Sequence, residues 1–208
     1  MQFCDRLLLE NRAWSDEMRI RDPDFFSRLQ HGQAPEALWI GCSDSRVPPE
    51  QLCNAPPGDL FIHRNVANLV APRDPGFMSV LEYAVAQLGV PHIVVCGHHG
   101  CGGVAAACTT EQTGLGHVED HIGPLRALYG AHQQTLAAIP NTSERVDRLV
   151  ELNVIAQVDA LAALSAVRDA PRPPQLHGLV YGTDSGRLTL LCHREVKPRP
   201  SPAPALSA

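Results

Sequence analysis

No apolar run in these 208 residues approaches the roughly 18 that a membrane-crossing helix requires, so no span is expected. Positive charge is in short supply: 17 Lys and Arg stand against 22 Asp and Glu, a formal net charge of -5. No basic stripe, base-stacking aromatic motif or recognition-helix pattern is present, and Arg194, Lys197 and Arg199 are too few to make one. A mildly acidic chain repels a phosphate backbone, so nucleic acid is not an expected partner. Cys4, Asp5, Arg6 and Glu10 stand where a secretory leader would carry its apolar core, and a cytoplasmic location is expected. No Gly-x-Gly-x-x-Gly opens a helix and there is no P-loop lysine motif, which removes the usual fingerprints of a nucleotide-binding α/β protein. The 7 cysteines are odd in number and form no Cys-x-x-Cys pair, unlike a disulfide framework or a zinc knuckle.

What is present is concentrated in two short stretches, Cys42-Ser43-Asp44-Ser45-Arg46 and His98-His99-Gly100-Cys101-Gly102-Gly103. Each follows a short apolar run and reads as the mouth of a buried strand, the edge at which open α/β sheets gather ligands. Cys42, His98 and Cys101 offer two thiolates and an imidazole, a set suited to tetrahedral zinc with a fourth position open. The His-x-x-Cys spacing lets both side chains turn back from one glycine-rich loop. Asp44 is a weaker oxygen ligand, and its spacing from Arg46 allows a bidentate carboxylate–guanidinium pair. Cys53, Cys96, Cys108 and Cys192 lie in or near apolar segments and read as small buried hydrophobes. His92, His117, His121, His177 and His193 read as structural or surface residues.

The remaining pattern is α/β. The first 31 residues look helical, with Asp22-Pro23 as the start of a short second helix. Strands are expected at Glu36–Gly41, Leu60–Arg64, His92–Gly97, His177–Gly182 and Arg187–Cys192. Between them the spacing predicts helices from about Pro75 to Leu88, closed by Gly89, and near Val104–Thr109. A less regular helical region, Gly114–His132, is interrupted by Gly123-Pro124, and a long helix starts at a Ser143 cap and runs to about Arg168. This alternation implies a mostly parallel central sheet flanked by helices, preceded by an N-terminal helical arm, with an antiparallel final edge. Residues 1–196 read as a single domain with residues 1–33 as its arm, and residues 197–208 as a disordered Pro-rich tail.

Cys42-x-Asp44-x-Arg46 followed by His98-x-x-Cys101 resembles the signature of the β-class carbonic anhydrases. Further blocks, from Trp39 to Pro48, His63 to Asn68, Cys96 to His98, Glu151 to Val154 and His177 to Gly182, resemble the family in the family's order, over roughly Phe25 to Leu191. The resemblance implies reversible hydration of CO2 to bicarbonate and a proton at a zinc held by Cys42, His98 and Cys101. Zinc lowers the pKa of bound water from about 15.7 toward about 7, and the resulting hydroxide attacks CO2. Thiolate ligands make that water less acidic than a three-histidine set does, which favours alkaline activity. The resemblance also implies that Asp44, held by Arg46, orients the nucleophile, and that on release it swings onto zinc as a fourth ligand. Gln33 aligns with the family glutamine that holds substrate through its amide.

Trp39, Arg64 and Tyr181 match the residues that surround a non-catalytic, inhibitory bicarbonate in one subset of the family, and a guanidinium with two hydrogen-bond donors suits that anion. Ordinary core packing of Trp39 and Tyr181 is the alternative. His99 is a departure from the family pattern and is either a proton relay or a solvent-facing loop residue. The same zinc site could serve CS2 or COS instead of CO2. N-terminal arms in this family wrap a neighbouring subunit, so self-association as a dimer or tetramer is expected.

Overall fold

The computed structural model describes Met1 to Val196; the tail expected at residues 197–208 lies outside the described residues. The chain divides into two units, the first ending at Ala34 and the second starting at Pro35. In the first, α1 (Phe3–Arg21) is followed by α2 (Phe25–Leu29), and neither buries a residue. Trp14 packs edge-on against Phe25 and Phe26, with ring centroids 6.2 and 5.8 Å apart. Phe3, Leu7, Leu8, Leu9 and Ile20 are left exposed. The second helix begins beyond Asp22-Pro23, with Asp24 at its cap position, because Asp22 turns its carboxylate back to accept the Asp24 N–H at 3.2 Å.

In chain order, the second unit runs through β1 (Ala37–Cys42), α3 (Pro49–Leu52), β2 (Leu60–Asn65) and a 3₁₀ turn at Val66–Asn68. It continues with α4 (Pro75–Glu82), a π-helical segment Tyr83–Leu88, β3 (His92–His98), α5 (Gly102–Ala107) and α6 (Gly116–Ala131). Then come α7 (Gln133–Ala137), α8 (Thr142–Ala163), α9 (Ser165–Arg168), β4 (Gln175–Gly182) and β5 (Arg187–Glu195). The sheet order is β2-β1-β3-β4-β5, parallel through β4 with β5 antiparallel at the edge. Every residue of β1 is buried, the continuous apolar run that a central parallel strand requires.

α8 covers one sheet face. Its Val146, Leu149, Val150, Val154, Val158 and Leu161 recur at helical spacing and are buried. Val154, Val158 and Leu161 meet Leu38, Ile40, Ile93, Val95 and Leu176 of the strands, with Phe77 and Leu81 of α4 completing that core. A second cluster surrounds Cys42 and Cys101 and includes Val104, Leu125, Leu149, Val150 and Val180.

Several boundaries differ from the expectation. Asn141, not Ser143, caps α8: its side chain accepts the Ser143 and Glu144 N–H groups at 2.8 and 3.2 Å. α8 ends at Ala163 because Leu164 is extended, with ψ 134°, and a separate turn, α9, reaches Arg168. α6 passes unbroken through Pro124, since burying Ile122 and Leu125 outweighs the donor the proline lacks. Cys53 is exposed, while Cys96 is buried and Cys108 and Cys192 are half-buried.

Candidate metal centre

β1 and β3 are neighbours, yet the chain leaves β1 toward β2 on one side and returns to β3 on the other. The carboxyl ends of β1 and β3 therefore flank a topological switch point, the position where α/β sheets open a crevice. Cys42 ends β1, His98 ends β3, and Cys101 stands at the cap position before α5. All three are buried, and their ligand atoms lie within 4.8 Å of one another. Gly100, with φ +66°, makes the left-handed bend that brings Cys101 back beside His98.

The donor set fits zinc. The sulfurs of Cys42 and Cys101 are 3.8 Å apart. Two sulfurs about 2.3 Å from one zinc at tetrahedral angles are separated by about that distance. His98 is 1% exposed, and its Nε2 is buried without a hydrogen-bond partner, as a nitrogen reserved for a metal would be. Its Nδ1 lies 3.1 Å from the His99 carbonyl, a contact that orients the ring and leaves Nε2 for the cluster.

The two thiols share a proton unequally. The hydrogen bond from Cys101 brings the Cys42 thiol down to about 4, against its burial, with help from His98 and from the Asp44 and Ala67 backbones. Cys101, as the donor to Cys42, is pushed far above the ordinary thiol range, and burial adds to the shift. Burial opposes the charged form of His98, but the neighbouring Cys42 leaves its pKa raised overall. Two adjacent sulfurs ionise together only with a cation between them. By contrast, burial first and then the neighbouring Cys53 push Cys96 up to about 12, and it stays a neutral thiol off the site.

Asp44 and Arg46 form the expected bidentate pair. Arg46 Nε donates to Asp44 Oδ1 at 3.0 Å and Nη2 to Oδ2 at 2.7 Å, while the Arg46 backbone N–H donates to Oδ1 at 2.9 Å. Those bonds, the Arg46 side chain first, hold the Asp44 carboxyl far below the usual carboxylate range. Asp44 Oδ2 is 3.7 Å from His98 Nε2, at the edge of the cluster. Arg46 Nη2 also donates to the Gly100 carbonyl at 3.3 Å, tying the pair to the loop that carries Cys101.

Trp39, Arg64 and Tyr181 fall on β1, β2 and β4, where register and alternation place them on the sheet face opposite α8. Trp39 is buried, with its indole lying across Gly41. Tyr181 is half-buried beside the metal loop, and its carbonyl accepts the His99 N–H at 2.9 Å. Arg64 does something its sequence position did not announce. Its Nε donates to the Cys42 carbonyl at 2.7 Å and its Nη2 to the Asp44 carbonyl at 2.5 Å, clamping the turn that carries both side chains. Gln33 is exposed and lies in the N-terminal unit.

The sequence reading missed the support from α8. Asp147 Oδ1 accepts the Gly100 N–H at 2.8 Å. His99 Nε2 faces Glu151 at 3.7 Å, and Glu151 in turn pairs with Arg148 at 2.6 Å. Asn153, fully buried, donates to the Ala67 carbonyl at 3.0 Å. One signal was available: Asn153 occupies the same helical stripe as Val146, Val150 and Val154, and a polar residue in an apolar stripe needs a partner.

A parallel α/β sheet with a buried thiolate–imidazole cluster at its switch point defines a metalloenzyme-type site. Residues 37–188 match the family described as carbonic anhydrase. The carbonic anhydrase of Emericella nidulans is 43% identical over 190 residues, covering 90% of this chain and 82% of that protein. That of Pseudomonas aeruginosa is 42% identical over 175 residues, covering 80% and 77%. Among solved structures, one described among two tetrameric β-carbonic anhydrases from Sordaria macrospora matches with a TM-score of 0.89 at 41% identity, covering 92% of this chain and 98% of that one. The Coccomyxa β-carbonic anhydrase in complex with acetazolamide matches with a TM-score of 0.84 at 38% identity, covering 92% and 87%. The chain belongs to the carbonic anhydrase family, in its β class.

Proposed function

We propose that this chain catalyses the reversible hydration of CO2 to bicarbonate and a proton, with zinc held by Cys42, His98 and Cys101. The observation that carries the reading is the cluster itself, two sulfurs 3.8 Å apart beside an unpartnered buried imidazole nitrogen. Zinc bound there supplies an acidified water as nucleophile for the CO2 carbon. With two thiolates among the ligands, activity rises toward alkaline pH.

Asp44 has two uses. Fixed by Arg46, its carboxylate is placed to accept a hydrogen bond from a zinc-supplied nucleophile and would orient it toward CO2. Released, it would be free to serve as a fourth ligand to zinc and so close the site. Paired with Arg46, the Asp44 carboxyl is ionised at neutrality, and a metal cation in place of the guanidinium would keep it so. The gate therefore works by exchange of partner between guanidinium and metal, not by protonation of Asp44. Arg64 extends the same argument to bicarbonate inhibition. An anion captured by Arg64, Trp39 and Tyr181 competes for the guanidinium that clamps the Cys42 and Asp44 carbonyls, and so loosens the turn that holds the gate. Gln33 is assigned to substrate binding through its amide.

The chain is proposed to act in the cytoplasm as a dimer, or as a tetramer built from dimers. Two observations support self-association: the exposed apolar side chains of α1, and the tetrameric state described for the Sordaria macrospora relative. Among the described residues, no helix is long and apolar enough to cross a membrane.

The test is stopped-flow CO2 hydration on metal-quantified protein, scanned from neutral to alkaline pH with and without added bicarbonate. Turnover that depends on zinc, rises with pH and is suppressed by bicarbonate is expected, with the suppression relieved in Trp39→Phe and Tyr181→Phe. Zinc-loaded protein inactive on CO2 throughout would redirect the assignment to CS2 or COS.

A further inference from the structure

Between the two cysteine-bearing segments lies the turn Val66–Asn68, where Ala67 has φ +62° and Asn68 φ +50°. Left-handed backbone is disfavoured for alanine, whose Cβ crowds the following carbonyl and which has no polar side chain to compensate. Ala67 is fully buried in the cluster that contains Cys42 and Cys101. Gly103, two residues beyond Cys101, is pressed so closely on this turn that an added Cβ would lie 2.6 Å from Val66 Cγ1 and 3.3 Å from Ala67 Cβ. The strained turn is thus wedged between two of the ligand-bearing segments.

A one-way hydrogen-bond relay from α8 holds it there. The Val70 N–H donates to Gln157 Oε1 at 2.8 Å, Gln157 Nε2 donates to Asn153 Oδ1 at 2.9 Å, and Asn153 Nδ2 donates to the Ala67 carbonyl at 3.0 Å. Its polarity is forced at both ends. A backbone N–H can only donate and a carbonyl can only accept, so both side-chain amides have a single workable orientation. On the other side, Asn65 accepts the Leu69 N–H and donates to the Leu69 carbonyl, each at 2.7 Å, which pins the far end of the turn.

We propose that Asn153, oriented by Gln157, is a positioning residue for the metal centre: it keeps Ala67 in its left-handed conformation and thereby keeps the turn seated against the segments that carry Cys42 and Cys101. The proposal rests on Cys42 being a metal ligand. A displaced turn would shift the ligand-bearing segments packed on it, so Asn153 sets how well the ligand atoms are placed and how tightly a metal is held.

The test loads the full chain, wild type and variants, with Co2+ in place of zinc, and reads the thiolate-to-cobalt charge-transfer band. Zinc affinity is measured in parallel by chelator competition. Asn153→Asp keeps an oxygen for Gln157 but sets a second oxygen against the Ala67 carbonyl. Gln157→Glu keeps the Val70 bond but removes the donor that orients Asn153. Both should shift the band, because its energy follows the sulfur–cobalt distances and angles that the seated turn helps to set. Asn153→Asp should also weaken zinc binding by about ten- to a hundredfold, with Gln157→Glu moving the same way by less. A band and affinity like wild type in the variants would overturn the proposal, even if their thermal stability fell; should Asn153→Asp not fold, Gln157→Glu decides. Wild-type protein lacking a thiolate–cobalt band would instead refute the ligand assignment and the proposal with it.

Discussion

Gly97 immediately precedes His98 on β3 and faces α8. A Cβ there would lie 2.8 Å from Val154 Cγ2 and 3.0 Å from Val150 Cγ1. Carbon atoms in ordinary contact stand about 3.5–4.0 Å apart, so Gly97→Ala must push α8 back by roughly 0.7–1 Å or force both valines from their rotamers. Overpacking of this kind costs about 1–3 kcal/mol. The same retreat would stretch the 2.8 Å bond from Asp147 to the Gly100 N–H beyond hydrogen-bond range, adding about 1 kcal/mol. A total loss of about 2–4 kcal/mol should appear as a lower urea midpoint at fixed protein concentration, and a misplacement near 1 Å at the metal loop should lower kcat/KM by about a hundredfold. Val154→Ala in the same chain removes the nearest methyl and should restore part of both losses, a coupling that a double-mutant cycle measures. A Gly97→Ala protein within about 0.5 kcal/mol of wild type and with full kcat/KM would refute the claim that the fit of α8 on β3 sets the metal loop.

Other expectations follow from the same geometry. Gly178→Ala, whose Cβ would lie 2.6 Å from Cys192 Sγ and 2.9 Å from Val154 Cγ1, should destabilise the chain comparably in urea but cost less activity, because β4 carries no metal ligand. Asp147→Ala should keep the fold by circular dichroism and lower kcat/KM about five- to tenfold, the equivalent of one lost hydrogen bond; full activity would remove Asp147 from the support of the loop. Zinc must displace the proton that Cys101 holds above the ordinary thiol range, while Cys42, brought down to about 4, is already ionised at neutrality. Zinc affinity by chelator competition should therefore climb about tenfold per pH unit, and more steeply wherever His98, whose pKa is raised, is also protonated and must give up a proton; a flat dependence would contradict the assignment. Arg46→Lys cannot make both contacts to Asp44, so the acid limb of the kcat/KM profile should move to higher pH, and an unmoved limb would count against the gate.

The metal cluster was legible because its chemistry is local. Cys42 and His98 each close an apolar run, and the parallel sheet brings such ends together whatever the intervening chain does. The strands were legible for the same reason, since buried parallel strands are simple apolar runs. Boundaries that depend on competition between similar residues were not. Asn141, Thr142 and Ser143 are all capable caps, and Asn141 takes the role because its side chain reaches two free N–H groups at once. Pro124 reads as a helix break, yet α6 continues across it because the packing of Ile122 and Leu125 is worth more than one lost backbone bond. Arg64 as a backbone clamp was illegible in principle, for nothing in a sequence says which carbonyl a guanidinium will find.

Gly100 is gripped at both its polar groups, its N–H by Asp147 and its carbonyl by Arg46. Having no side chain, it offers mutation nothing to remove; it can be altered only by changing its backbone or one of its two holders. One holder is the guanidinium paired with Asp44 beside β1, and the other belongs to a helix far along the chain. The firmness with which Arg46 keeps Asp44 can therefore be reset from α8 alone, with no change in the Cys-x-Asp-x-Arg turn itself.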